Sequence, residues 1–222
     1  MSVLIIVAHP DDEIIGMGGT IAKHVSRGDK VCAMYLTDGM ASRNKDEKAK
    51  TQRAIAADLA AKEMGYEWVG KFDFPDNALD SVPLIHIVKS IEEIKDLISP
   101  SLVYTHSGAD LNVDHRVVVN SVLTAFRPQP LESCKEIRLF EVASATDFGN
   151  SAVTGILTPN LYIDIENEWE AKYNALNIYG SEIRDYPHSR SIEGIMNLAK
   201  IRGNQVGLKL AEAFEIIRKV DK

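Results

Sequence analysis

The chain has 222 residues, 45% hydrophobic and 26% charged, enough for one domain with a full hydrophobic core. Its formal net charge of -7 excludes a nucleic-acid groove as the default partner, since phosphate binding relies on clustered Lys and Arg, and leaves small polar molecules as the better fit. Cys32 and Cys134 sit in apolar surroundings without CxxC spacing, so neither a disulfide framework nor a thiolate metal site is suggested, and a reducing compartment suits them.

Val3–Val7 is a short continuous apolar run, the pattern of a strand covered on both faces. Ile14, Ile15, Ile21, Ala22 and Val25 then recur at helical spacing until Gly28 and Asp29. KVCAMYLTDG is a second apolar run that stops at polar residues. Lys48–Met64 reads as a helix with Ile55, Leu59 and Ala60 inward and Gly65 after its end. A weaker strand covers Trp68–Phe74, PDN makes a turn, and Val82–Ile98 reads as an amphipathic helix closed by Pro100. Leu102–Thr105 is a short strand, followed by a helix over Asp114–Phe126. Strands are expected at Glu136–Val142 and Leu161–Ile165, with a helix over Asn167–Ile178. Ser191–Ile217 is helical in pattern, interrupted near Gly203 and Gly207.

Alternation of strand and helix predicts a single-domain α/β fold over residues 1–222, with a Rossmann-like, mostly parallel sheet flanked by helices. Ligands in such sheets gather at the carboxyl ends of strands. Three polar clusters fall there: His9–Glu13, Thr37–Gly39 and His106–His115. No basic leader segment opens the chain and no apolar run approaches the ~20 residues of a membrane span, so a cytoplasmic protein without a membrane span is expected. The sequence leaves a homo-oligomer open.

His9 and Asp12, three residues apart at a strand-to-helix turn, can supply two ligands to a hydrolytic zinc ion, which takes three from the protein and keeps one position for water. Carboxylates there can equally cap the helix, and spacing alone leaves the two readings side by side. Pro10 stiffens the turn, which suits a ligand set. The third ligand should come from another strand end. His115 lies at one, with Asp114 as helix cap or as a partner behind a ligand.

AHPDDE followed by GMGG, TDG, an Arg-containing helix ending in MG, FPDN and DLNVDH together resemble the PIG-L/LmbE-like zinc-dependent de-N-acetylases, N-acetylglucosaminyl deacetylases among them. PHSRSIEGIMNLAKIRGNQVGLKLAEAFEIIR looks like a bacterial branch associated with surface-polysaccharide sugars. The resemblance implies Zn2+ held by His9, Asp12 and His115, with Asp11 as general base. It implies a substrate- or acetate-contacting role for Arg53 and sugar contacts for Asp76 and Asn77, which as turn formers need no ligand. Glu13 is expected to support the turn by a hydrogen bond.

Two positions depart from the pattern. Asn112 stands where many relatives carry a histidine; an amide can donate to an oxyanion but cannot deliver a proton. Asp11 is then the expected proton shuttle, with His188 the best additional candidate and His106 another. Ala56 stands where relatives often have Glu, which loosens the expected orientation of Arg53.

The expected function is removal of an acetyl group from an N-acetylated sugar or sugar conjugate in glycan or glycoconjugate biosynthesis. A catalytically weak zinc- or glycan-binding protein is the alternative that Asn112 motivates. Nucleotide binding is disfavoured, because GMGG lacks GxGxxG spacing and follows carboxylates. Selectivity is expected from loops near residues 40–48, 76–82 and 144–160.

Overall fold

A computed structural model describes residues 1–39 and 47–221, so most of the expected 40–48 selectivity loop lies outside the described residues. Seven strands form one sheet in the order β3-β2-β1-β4-β5-β7-β6. They are β1 (Ser2–Val7), β2 (Lys30–Tyr35), β3 (Glu67–Lys71), β4 (Leu102–His106), β5 (Glu136–Phe140), β6 (Leu161–Asp164) and β7 (Ala211–Lys219). The first five pair in parallel; β7 runs antiparallel to both β5 and β6. The helices are α1 (Asp12–Ser26), α2 (Glu47–Met64), α3 (Leu84–Ile98), α4 (Val113–Ala125), the single turn α5 (Ser151–Thr154), α6 (Trp169–Ile178) and α7 (Ile192–Asn204).

Val3–Val7 of strand β1 are all apolar because the strand is covered on both faces. Val3, Ile5 and Val7 join the core beneath α1, α2 and α6; Leu4, Ile6 and Ala8 join the core beneath α3 and α4. From β1 the chain winds outward to β2 and β3 on one side and to β4 and β5 on the other. The carboxyl ends of β1 and β4 are therefore the switch point of the sheet, where a crevice opens. No helix among the described residues is long and apolar enough to cross a membrane.

Helix α1 breaks its ladder at Met17, whose φ of -145° and ψ of 24° are not helical. Two buried charges fill the break. The N–H groups of Gly19 and Thr20 donate to Glu212 on β7, at 2.9 and 2.7 Å. Lys172 of α6 donates from Nζ to the Ile15 carbonyl at 2.9 Å and to Glu212 at 2.7 Å. The glycines of GMGG serve packing: a Cβ on Gly16 would lie 2.4 Å from the Phe140 ring, and one on Gly19 2.7 Å from Ile165. With Gly19 and Thr20 committed to Glu212, these amides present no phosphate cradle.

Two expectations are corrected. The C-terminal stretch is not one long helix: α7 ends at Asn204, the chain turns through Gly207 at φ 76°, and Ala211–Lys219 enters the sheet. A side chain at Gly203 would meet the Leu208 carbonyl at 2.6 Å, so glycine permits the chain to fold back. Pairing with β5 and β6 then overrides the helical pattern. In α2, Ile55 and Leu59 are exposed, at 53% and 51%, and only Ala60 of the expected trio points inward. Ala57, Ala60, Ala61 and Met64 are its buried apolar residues, and the three alanines are small enough to let α2 lie close to its neighbours.

Candidate active site

The turn after β1 is held from several directions. The Ala8 N–H donates to His106 Nε2 at 2.8 Å, and Arg53 Nε and Nη2 both donate to the Pro10 carbonyl, at 3.2 and 3.1 Å. Asp11 occupies φ 133° and ψ -29°, a strained conformation for a residue with a side chain. Its N–H donates to Glu13 Oε2 at 3.0 Å, while Glu13 Oε1 accepts from the Tyr66 and Tyr179 hydroxyls at 2.8 and 3.0 Å. Burial pushes the Glu13 carboxyl up to about 7 against these donors. Glu13 thus supports the turn, and Asp11 at the N-cap position makes no side-chain cap.

Asp12 turns back toward the strand. Its Oδ2 accepts the His9 N–H at 3.0 Å, and lies 3.2 Å from His9 Nδ1 and 3.3 Å from His115 Nε2. Each imidazole leans with its other nitrogen on a carboxylate. His9 Nε2 is 3.1 Å from Asp114 and 3.2 Å from Asp76; His115 Nδ1 is 2.9 Å from Asp110. Where those outer contacts carry the ring hydrogens, His9 Nδ1, His115 Nε2 and Asp12 present lone pairs to one another. His115 Nε2 makes no hydrogen bond. Ligand atoms of the three residues lie within 4.8 Å of one another, so the group can hold a metal ion.

The electrostatics favour positive charge at this point. Burial opposes charge on His9, but Asp114, Asp12 and Asp76 outweigh it and hold its pKa well above the imidazole range. Burial likewise opposes charge on His115, which Asp12 and Asp110 raise to about 9. Burial acts against the Asp12 carboxylate too, yet the imidazoles, His115 first, hold it well below the usual range. His106 differs: burial, then His115, keep it neutral, and its ring stacks on His115 with centroids 3.8 Å apart.

Asp11 faces two guanidinium groups, Arg53 Nη2 at 3.1 Å from Oδ1 and Arg190 Nη1 at 3.5 Å from Oδ2. Burial raises its pKa, and Arg53 and then Arg190 restrain the rise. Arg53 also donates from Nη1 to the Gly39 carbonyl at 2.9 Å and sits 3.6 Å from Glu182. Glu182, remote in sequence, supplies a carboxylate near Arg53 although position 56 is Ala.

A cavity of about 110 Å³ is lined by His9, Asp11, Asp12, Gly39, Arg53, Asp76, Asn77, Asn112, His115 and Arg190. Eight of the ten residues given catalytic, substrate or metal roles from sequence are brought together here. His106 and His188 are absent from this lining; His188 Nδ1 accepts the Arg190 N–H at 3.1 Å and its ring meets Phe148 edge-on. Asn112 caps α4, its Oδ1 accepting the Asp114 N–H at 2.8 Å, which leaves Nδ2 as its donor. Asp114 is therefore no cap. It receives the Asn77 and Leu79 N–H groups at 2.7 and 3.0 Å, tying the FPDN turn to His9.

Sequence reasoning missed four contributors. Asp110, five residues before His115, buttresses that ring and in turn accepts from Thr146 Oγ1 at 2.9 Å. Glu182 and Arg190 arrive from segments far along the chain. Only Asp110 carried a local signal, a carboxylate just ahead of a helix that bears a histidine.

Fold and site together define a doubly wound α/β protein with a buried His-Asp-His group at its switch point. The chain belongs to the PIG-L family, described as GlcNAc-PI de-N-acetylase, whose match spans residues 4–126. It is 27% identical over 188 residues to a Bacillus cereus protein named probable N-acetyl-alpha-D-glucosaminyl L-malate deacetylase 2, covering 81% of this chain and 83% of the relative. Its fold matches N,N'-diacetylchitobiose deacetylase from Pyrococcus horikoshii with a TM-score of 0.77 at 23% identity, covering 97% of this chain and 83% of the other. A comparable match, TM-score 0.76 at 18% identity over 100% and 98% of the two chains, is GalB, the 4-carboxy-2-hydroxymuconate hydratase of Pseudomonas putida KT2440. The fold alone therefore does not fix the reaction.

Proposed function

We propose that the protein is a zinc-dependent de-N-acetylase acting on an N-acetylated sugar or sugar conjugate. The observation that carries the reading is the convergence of His9, Asp12 and His115 beside an Asp11 that is not part of the group. Membership of the PIG-L family and the deacetylase relatives support the same reaction.

His9, Asp12 and His115 would hold the zinc ion, with Asp114 and Asp110 fixing the two rings. Bound there, zinc would act as a Lewis acid, acidifying a water and polarising an amide carbonyl. Asp11 accepts a proton from the attacking water and passes it to the nitrogen, since no imidazole stands at Asn112 to do so. Arg53 holds Asp11 in place, and Asn112 Nδ2 donates to the oxyanion. Asp76 and Asn77, on the cavity wall, are the groups proposed for sugar hydroxyls. A cavity of about 110 Å³ suits an acetamido group, with the rest of the substrate at its mouth.

The test is metal analysis of the purified protein, joined to mass-spectrometric screening of N-acetylglucosaminyl conjugates, chito-oligosaccharides and 4-carboxy-2-hydroxymuconate. Bound zinc with loss of one acetyl group from a sugar supports the reading. Zinc without acetate release from any sugar, or hydration of the muconate, overturns it.

A further inference from the structure

Among the described residues two arginines line the cavity, and their donors are spent differently. Arg53 is 5% exposed and engages Pro10, Gly39, Asp11 and Glu182 with all three of its nitrogens. Arg190 is 16% exposed and is anchored from behind: its Nε donates to Ser144 Oγ at 2.9 Å and meets the Ala143 carbonyl at 3.4 Å. Its Nη1 reaches Asp11 only at 3.5 Å, beyond a strong hydrogen bond, and its Nη2 has no partner among the described residues. Ser144 holds φ 66°, a left-handed conformation that costs a non-glycine residue energy; the strain falls on the residue that fixes this guanidinium.

We propose that Arg190 binds the acyl group of the substrate and the acetate it becomes, a role distinct from the framework role of Arg53. The inference rests on the deacetylase reading. In that hydrolysis water adds to the carbonyl carbon, the C–N bond breaks, and one water proton goes to the nitrogen. The carboxylic acid formed then loses its own proton at neutral pH. A neutral amide is thereby replaced by an anion in a cavity already lined by Asp11, Asp12 and Asp76. A guanidinium with an unspent edge can meet that charge with a paired, charge-assisted contact. Among the described residues Arg190 is the cavity guanidinium with such an edge.

The experiment compares zinc-loaded wild type with Arg190→Ala, Arg190→Gln and Ser144→Gly, the last removing the anchor without adding strain. On an N-acetylglucosaminyl conjugate the two Arg190 variants raise KM and weaken acetate inhibition on the order of tenfold, the worth of one hydrogen bond to a charged group. Ser144→Gly shifts both in the same direction by less. Calorimetric titration of acetate into the zinc-loaded proteins shows the same loss of affinity without any substrate. Unchanged KM and acetate affinity in whichever Arg190 variant folds overturns the inference. A wild type that releases no acetate refutes the deacetylase reading instead, and the acetate titration still decides on Arg190.

Discussion

The parallel half of the molecule and its antiparallel C-terminal part contribute to the site in different ways. Residues 4–126, the span of the family match, carry the His-Asp-His group, Asp11 and the FPDN turn, which follow strands β1, β4 and β3, and Arg53 on helix α2. The later residues hold these in place. Thr146 steadies Asp110, Glu182 faces Arg53, Arg190 faces Asp11, and the Lys172–Glu212 pair fills the break in α1. The proposed ligands and base are local in sequence; their support, and the guanidinium proposed for the acyl group, come from elements that meet them only in the folded chain.

Substitutions in the two regions should therefore fail differently. Asp11→Asn should keep the metal and lose about 10²- to 10⁴-fold in deacetylation, measured as kcat beside zinc content; full activity would remove Asp11 as the base. Lys172→Met should cost about 3–5 kcal/mol in urea unfolding, because Glu212 would remain buried without its cation and the Ile15 carbonyl without its donor. A loss within experimental error would mean that the break in α1 needs no such filling. Asp110→Asn, one shell behind His115, should weaken zinc binding about 10- to 100-fold in a chelator competition, with little change in secondary structure.

The smallest effect tests a region far from the cavity. His24 shares its ring between Asp29 at 2.7 Å and the Tyr104 hydroxyl at 2.9 Å. Burial depresses its pKa, though Asp29 opposes the shift. A histidine whose folded pKa lies below its unfolded value binds fewer protons folded, so its contribution is complete above the unfolded pKa of about 6.5 and is lost as pH falls below it. Asp29, held below the carboxylate range by His24 and the chain terminus despite slight burial, adds a loss at lower pH. Unfolding free energy should fall more gently with acid in His24→Gln than in wild type.

How much could be read beforehand follows the same division. β1, α1, β2, α3, β4 and α4 were legible because apolar runs and helical spacing coincide with burial there; the polar clusters at their ends offered His9, Asp12 and His115 as ligands beside a capping alternative, and the family resemblance supplied the role of Asp11. β7 was not, since AEAFEIIRK satisfies a helical pattern as well as a strand and only pairing with β5 and β6 decides. In PHSRS the sequence points to His188, as an imidazole can deliver a proton, and nothing in it marks Arg190. The fold instead brings the guanidinium two residues later to the cavity wall. Ile55 and Leu59 misled because hydrophobicity was taken for direction, whereas close packing of α2 favours its alanines. Asn112 caps α4 through its oxygen, which leaves its nitrogen for the donor role proposed above.

The most direct test of the account is removal and return of the metal. The protein stripped with a chelator should release no acetate from an N-acetylglucosaminyl conjugate, and one equivalent of zinc should restore the reaction in wild type but not in His115→Ala. Acetate release that survives chelation, or that zinc restores equally without His115, would contradict it.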